Sequence, residues 1–250
     1  MLVNIRTSGD CRPPRVGSDF TSTMNLTKPF PIIGQGFGAN AVPLYSGQGL
    51  RGHTGIDFGA DWGAPIHCAV DSYCYSVMNR DNPNLMAYRA VFTLVDDGAV
   101  TYEVSYGHCS AIFAVPGKTY KVGDILANVG NTGDVFSGPS EVTKAEKDAG
   151  SHAGQHLHFQ VRVCKKVPIA QATDPTAHYI MDGNGIFSLK GNYYQVPNYN
   201  DGWNGCIDPM PFFEPTPSDK LIAIANQMMA TNPTQARIIL AVAALIRAFT

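Results

Sequence analysis

The chain has 250 residues, of which 44% are apolar, so it can bury one sizeable core in one or two domains. Its formal net charge is −2 and its sequence contains no basic run, which argues against a nucleic acid partner. The 25 glycines and 17 prolines are typical of many short strands joined by turns.

We assign the first 28 residues to an N-terminal extension. Its first 19 residues contain Arg6, Arg12 and Arg15 but no apolar run, so they do not match a secretory signal peptide. A protein that acts outside the cytoplasm would then need another route of delivery.

The next segment contains two potential metal ligands, His53 and Asp57. Glycines at 52, 55 and 59 disfavour a helix. The four-residue spacing of His53 and Asp57 therefore does not place them on one face of a helix. We expect a tight turn that leads into an extended segment.

The middle of the chain predicts antiparallel strands. Residues 91–95 and 100–104 are rich in β-branched and aromatic residues and are joined by Asp96-Asp97-Gly98, which is typical of a β-hairpin. Residues 66–78 and 157–163 add further strands.

Three more histidines complete a set of residues that can perform metal chemistry. His108 lies in the sequence between the His53–Asp57 pair and a second pair, His156 and His158. This second pair flanks Leu157 in a run with alternating apolar residues. Because residues i and i+2 of a strand point to one face, both imidazoles face the same way. Leu157, Phe159, Val161 and Val163 then face the core.

Together these residues are typical of a metal-dependent hydrolase. Two imidazoles and one carboxylate can hold a zinc ion with one coordination position open, and two further imidazoles can handle protons. The five residues are His53, Asp57, His108, His156 and His158.

The order of short motifs resembles the lysostaphin/LytM-type zinc endopeptidases of peptidase family M23 over residues 29–214. The motifs are, in chain order, Pro31-Ile32-Ile33-Gly34-Gln35-Gly36-Phe37-Gly38, Gly52-His53-Thr54-Gly55-Ile56-Asp57-Phe58, Gly63-Ala64-Pro65-Ile66, Tyr106-Gly107-His108, Gly123-Asp124-Ile125-Leu126, Gly130-Asn131-Thr132-Gly133, His156-Leu157-His158-Phe159 and Asp208-Pro209 with Phe212.

The resemblance implies a mainly β, antiparallel domain with a substrate groove on one sheet. It implies that Zn2+ is held by His53, Asp57 and His158, with water in the fourth position. His108 and His156 would then be the catalytic pair, one as general base and one stabilising the oxyanion or protonating the leaving amine. Which histidine does which stays open, as does the peptide bond of peptidoglycan that is cut.

Two segments are longer than the family pattern. The insertion 134–155 has charged residues at its centre and a predicted helical turn at 143–149, and it would flank the cleft. It is either a loop for substrate specificity or partner docking, or an inert surface excursion. The segment 168–204 either walls the groove with tyrosines or forms a polar surface loop with some hairpin; those tyrosines are Tyr179, Tyr193, Tyr194 and Tyr199.

The other histidines have weaker claims to a role. We expect His67 to be a packed strand residue and His178 to have no partner, whereas His152 lies close enough in sequence to reach the site.

The cysteines favour structural roles. Four lie in or beside predicted strands and are expected to be buried thiols; they are Cys68, Cys74, Cys109 and Cys164. Cys109 beside His108 is a rival nucleophile, but adjacent strand residues point to opposite faces. Cys11 and Cys206 flank the domain and could pair in an oxidising setting.

The C-terminal tail, 215–250, predicts two helices. Ser218 is placed to cap the first, and Asn232, Pro233 and Gln235 to begin the second. Residues 238–246 are all apolar, but this run is far shorter than the about 20 residues that span a bilayer. Such a helix must be buried, whether against the domain, in a neighbouring subunit or tail protein, or at a membrane interface.

We therefore expect a zinc endopeptidase of peptidoglycan that a phage tail delivers, with the C-terminal helices bound to tail or baseplate proteins. The expected location is the virion, or the host cytoplasm before release through a membrane hole. One alternative is a catalytically inactive domain that binds peptidoglycan or activates another hydrolase. The other is a structural component of the phage tail whose site is vestigial or shielded until infection.

Overall fold

Short apolar segments separated by glycine turns fold into antiparallel sheets, as the sequence predicts. A computed structural model describes residues 24–39, 44–98, 100–213, 217–229 and 231–249. The predicted fold class, a mainly β domain followed by a helical pair, is confirmed.

The strands are short, apart from the long β12. They are β1 (Ile32–Gln35), β2 (Ile56–Gly59), β3 (Pro65–His67), β4 (Ser72–Met78), β5 (Ala90–Asp96), β6 (Thr101–Gly107), β7 (Ala111–Ile112), β8 (Thr119–Tyr120), β9 (Ile125–Asn128), β10 (Phe136–Ser137), β11 (Ser140–Glu141), β12 (Leu157–Pro168), β13 (Met181–Asp182), β14 (Gly185–Ile186), β15 (Ser188–Leu189), β16 (Asn192–Gln195) and β17 (Cys206–Ile207). The α-helices are α1 (Leu44–Gly47), α2 (Lys144–Asp148), α3 (Pro217–Met228) and α4 (Pro233–Phe249).

The main sheet has the strand order β1-β2-β12-β6-β5-β4-β8. The predicted hairpin is β5 and β6, which pair from Val91 opposite Tyr106 to Asp96 opposite Thr101. Strand β12 lies between β2 and β6 and extends beyond the predicted 157–163, where it pairs with β16 and β17. This central strand therefore carries His158 into the middle of the sheet.

The predicted strand region 66–78 is divided between two sheets. Its first part, β3, belongs to a three-stranded sheet of order β3-β9-β7, and its second part, β4, belongs to the main sheet. The chain leaves one sheet for the other at 68–71, where the Cys68 amide donates to the Asp124 carbonyl at 2.8 Å.

The main core lies beneath β2, β6 and β12. Ile56, Tyr106 and Phe159 are fully buried there, so the apolar alternation predicted for β12 is confirmed. Leu26 is also fully buried and pairs with Phe213. The core thus begins a few residues before the predicted boundary at 29.

The segment 168–204 forms two hairpins, β13–β14 and β15–β16. Tyr194 lies in a second apolar cluster with Tyr75 and Phe187. The four tyrosines of this segment are absent from the lining of the groove described below. The hairpin alternative is therefore the correct one.

Helices α3 and α4 pack against each other. Asn232 caps α4 by accepting from the Gln235 amide at 3.2 Å, as the sequence predicts, whereas α3 begins at Pro217, before the predicted cap Ser218. The alternative in which α4 is buried against the domain of the same chain is wrong, because Ile238 and Leu245 are both 59% exposed. Burial in a partner protein or at a membrane interface stays a prediction. Among the described residues, no helix is long and apolar enough to cross a membrane.

Candidate active site

Strand register brings the predicted site residues together. On β12, His158 lies opposite Asp57 of β2 on one side and Gly107 of β6 on the other. Side chains of directly opposed residues in antiparallel strands share a face. His158 and Asp57 therefore meet on one face of the sheet, next to the point where β6 leads into His108.

Three of these side chains form a compact group of possible metal ligands. His53 Nε2 lies 3.0 Å from Asp57 Oδ1, and His158 Nδ1 lies 2.9 Å from the same oxygen. The two ring nitrogens are 2.8 Å apart. All three donor atoms lie within 4.8 Å of one another, close enough to share one ion.

Backbone contacts hold His53 in place. Its amide donates to the Ala39 carbonyl at 2.7 Å, and its carbonyl accepts from the Gly38 amide at 2.8 Å. Its ring Nδ1 lies 3.1 Å from the Gly36 carbonyl oxygen. Because a carbonyl can only accept, Nδ1 donates to it, and Nε2 is left facing Asp57 and His158.

Asp57 is a largely enclosed carboxylate that stays charged. Burial alone would raise the pKa of Asp57, but hydrogen bonds from His158 and His53, and the nearby imidazole of His156, hold that pKa well below its usual range. The site therefore has the anionic ligand that a divalent cation needs.

The second pair of imidazoles lies beside this group. The ring centroids of His108 and His156 are 4.4 Å apart, and His156 Nε2 is 3.5 Å from Asp57 Oδ1. His108 Nδ1 bonds the Thr132 carbonyl at 2.6 Å, and His156 Nδ1 bonds the Gly154 carbonyl at 2.7 Å. In the neutral form of either ring, the lone pair is therefore on Nε2, where it can accept a proton.

His108 is held in an unusual conformation. Its φ of 60° is in the left-handed region, which residues other than glycine seldom adopt. Burial, with the neighbouring His156 and His158, holds the pKa of His108 well below its usual range, so the ring is neutral. A neutral imidazole can act as a base.

All five residues line one groove of about 920 Å³. The insertion 134–155 forms part of its wall through Val135, Phe136 and Pro139, so the predicted position of the insertion beside the cleft is confirmed. Its predicted helix is α2, which Thr143 and Glu146 cap reciprocally.

The residues present fit a zinc ion. Tetrahedral ligands about 2.0–2.1 Å from zinc lie about 3.3 Å apart, close to the 2.8–3.0 Å that separate the three donors here. Two imidazoles and one carboxylate leave one coordination position for water or substrate.

The remaining histidines lie elsewhere. His67 bonds the Gly123 carbonyl at 2.8 Å through Nδ1. His152 stacks on Trp62 with ring centroids 4.2 Å apart, so it does not join the ligand group. The expectation that His178 lacks a partner is wrong, because its ring stacks on Tyr199 at 4.1 Å.

The four strand cysteines are buried free thiols, as predicted. Burial raises the pKa of Cys109 to about 12, so this thiol does not supply a nucleophilic thiolate at neutral pH. Cys206 is also a buried free thiol, and Cys11 lies outside the described residues, so their pairing stays a prediction.

The structure adds groove residues that the sequence analysis missed. Gln160 and Arg162 follow His158 on the same face of β12, and strand periodicity could have identified them. Arg162 is paired with the buried Glu103 at 2.8 Å. Tyr45 and Tyr88 also line the groove, but no sequence pattern marks either tyrosine.

Comparisons with known proteins identify one family and several similar solved structures. The model of peptidase family M23 matches residues 51–175. The chain is similar to the catalytic domain of the antimicrobial peptidase lysostaphin from Staphylococcus simulans, with 20% identity and a TM-score of 0.41, over 72% of this chain and 90% of that domain. No protein of curated function matches.

Two other solved structures show similar relationships. LytU has 27% identity and a TM-score of 0.38, over 64% of this chain and 88% of LytU. A zinc-containing peptidase from Vibrio cholerae has 25% identity and a TM-score of 0.38, over 56% of this chain. The match spans 37% of that longer peptidase.

Proposed function

Because this chain belongs to peptidase family M23, we propose that it is a zinc-dependent endopeptidase that hydrolyses peptide bonds in bacterial peptidoglycan. The observation that carries the proposal is one groove that contains a complete ligand group and two proton-accepting imidazoles. In the proposed roles, His53, Asp57 and His158 hold zinc, and His108 and His156 transfer protons.

The reaction consumes one water and forms one carboxylate and one amine. A zinc ion in the site supplies a Lewis acid beside the scissile bond. One of His108 and His156 accepts a proton at Nε2 as water adds to the carbonyl carbon. One of these two histidines donates a proton to the nitrogen of the scissile peptide as the C–N bond breaks, so the amine leaves in neutral form.

Digestion of purified peptidoglycan tests this proposal. Walls from Gram-positive and Gram-negative bacteria are treated with and without a chelator, and released peptides are identified by mass spectrometry. We expect new peptide amino termini that disappear with chelator, and their sequence identifies the bond. Zinc binding without release from any wall would instead favour the catalytically inactive or shielded alternative.

We also propose that a phage tail delivers the enzyme and that the α3–α4 pair binds a tail or baseplate protein. The support is the apolar surface of α4, where Ile238, Val242 and Leu245 are exposed. Contiguous apolar surface of this kind is typical of protein interfaces. In this proposal the protein resides in the virion.

Mass spectrometry of purified particles tests the delivery route. We expect the protein in particles of a phage that carries this gene. The double variant Ile238→Glu and Leu245→Glu should lower its amount in particles, while the purified variant still digests peptidoglycan. A protein found in the lysate but absent from particles would indicate release through a membrane hole instead.

A further inference from the structure

Tyr88 lies in the loop between β4 and β5, which is firmly attached to the site. The Asn79 side chain donates to the Tyr88 carbonyl at 2.8 Å. The Arg89 guanidinium donates to the Ser110 carbonyl at 2.6 Å, and the Gly133 amide donates to the Leu85 carbonyl at 2.9 Å. These contacts fix the loop on both sides of the tyrosine.

Two glycines make room for the Tyr88 side chain. A Cβ at Gly133 would lie 3.0 Å from the Tyr88 side chain, and a Cβ at Gly107 would overlap the phenol oxygen. Gly107 lies directly opposite His158 in the sheet. The hydroxyl therefore occupies the space of the missing Gly107 side chain, on the same face as the His158 ring.

The ring also contacts the proposed proton-transfer group. It meets His108 edge to face, with centroids 5.0 Å apart and an interplanar angle of 83°. Tyr88 lines the same groove as the five site residues. The tyrosine side chain is thus part of the groove wall beside His108.

The hydroxyl remains available to a ligand. Among the described residues, no hydrogen bond to the Tyr88 hydroxyl is formed, although the side chain is largely enclosed. Burial is the main cause that raises the pKa of Tyr88, with smaller contributions from Cys109 and Asp57, so the phenol stays protonated. A neutral phenol of this kind can donate one hydrogen bond and does not act as a base.

We propose that Tyr88 is a further catalytic residue whose hydroxyl donates a hydrogen bond to the carbonyl oxygen of the scissile peptide. That oxygen gains negative charge as water adds to the carbonyl carbon, so a fixed donor stabilises the transition state more than the bound substrate. The inference rests on the proposed function and adds a hydrogen-bond donor to the five residues that the proposed mechanism already uses.

The variant Tyr88→Phe tests the role of the hydroxyl, because it keeps the ring and its packing on His108. We expect kcat to fall about 100-fold, as for the loss of one oxyanion donor, with KM, zinc content and Tm close to those of the wild type. A phosphinate analogue of the cleaved peptide should bind the variant more weakly by a similar factor. Tyr193→Phe, on β16 outside the groove, should leave activity unchanged.

Other outcomes overturn the inference. Full activity of Tyr88→Phe, with activity lost only in Tyr88→Leu, would mean that the ring positions His108 and the hydroxyl does nothing. Loss of zinc or of Tm in Tyr88→Phe, or unchanged affinity for the phosphinate, would overturn it as well. An inactive wild type would instead refute the proposed function, and the role of Tyr88 with it.

Discussion

Gly55, in the turn between His53 and Asp57, has no space for a side chain. A Cβ at this position would overlap the Phe159 carbonyl oxygen of β12 and lie 2.9 Å from Cε1 of His158. Neither neighbour can move freely, since one is backbone in the central strand and the other belongs to the ligand group. Close approach of this turn to β12 therefore requires glycine.

We predict that Gly55→Ala lowers the free energy of unfolding by about 1–3 kcal/mol and weakens zinc binding, because the new methyl group displaces the His158 ring. Chemical denaturation and metal analysis measure both effects. Gly183→Ala is the matched control, since a Cβ there meets nothing within 4 Å. If Gly55→Ala resembled Gly183→Ala, the tight approach in the structure would be incorrect.

The five site residues divide into proposed zinc ligands and proposed proton-transfer residues, and substitutions in the two groups should have different effects. Asp57→Ala and His158→Ala should lose zinc and activity together, because each removes one of three ligands. His156→Ala should retain zinc and lose about 100- to 10,000-fold in turnover, because it removes only proton transfer. Metal content and kcat distinguish the groups, and loss of zinc in His156→Ala but not in His158→Ala would reverse the two assignments.

At the scale of elements, the insertion 134–155 is attached to the rest of the fold by specific buried contacts. Lys147 of α2 is only 1% exposed, and its amine donates to the Gly133 carbonyl. The Asn131 side chain donates to the carbonyls of Ser151 and Ala153 at 3.0 and 2.9 Å. These contacts join the insertion to the turn that also supports His108 through Thr132.

We predict that Lys147→Met destabilises the protein by about 1–3 kcal/mol, because the Gly133 carbonyl loses a donor. Since the insertion lines the groove, KM for peptidoglycan fragments should rise more than kcat falls. Lys144→Met is the control, because Lys144 is exposed and its pair with Asp148 is worth at most about 0.5 kcal/mol. Equal stability and KM in the two variants would show that α2 does not shape the groove.

At the scale of the whole molecule, zinc should couple the site to global stability. The three proposed ligands come from the 53–57 turn, β2 and β12, so an ion that they share cross-links the centre of the main sheet. Binding to the native state alone stabilises it by about 2.7 kcal/mol at a free zinc concentration 100 times Kd.

We therefore predict that a chelator lowers Tm by about 5–10 °C, since about 2.7 kcal/mol shifts a chain of this size by that amount. Differential scanning calorimetry with and without chelator measures the change, and added zinc should restore the original Tm. Asp57→Ala should melt at one temperature in both conditions. A wild-type Tm that ignores chelator would contradict a native zinc site at these residues.

The sequence by itself determined the features that depend on near neighbours. The alternation of apolar residues in 157–163, the turn at Asp96-Asp97-Gly98 and the cap Asn232 are all local patterns, and each is present in the structure. Both imidazoles of His156 and His158 face the groove for the same reason, because the repeat of a strand is two residues.

Tertiary structure decided everything that depends on pairing between distant segments. The register that sets His158 opposite Asp57 and Gly107 joins strands from three parts of the chain, and only this register creates the space that Tyr88 fills. The placement of the four tyrosines of 168–204 away from the groove and the exposure of α4 follow from which apolar surfaces meet. Local periodicity fixes the face on which a side chain lies, but not the segment that will pack against that face.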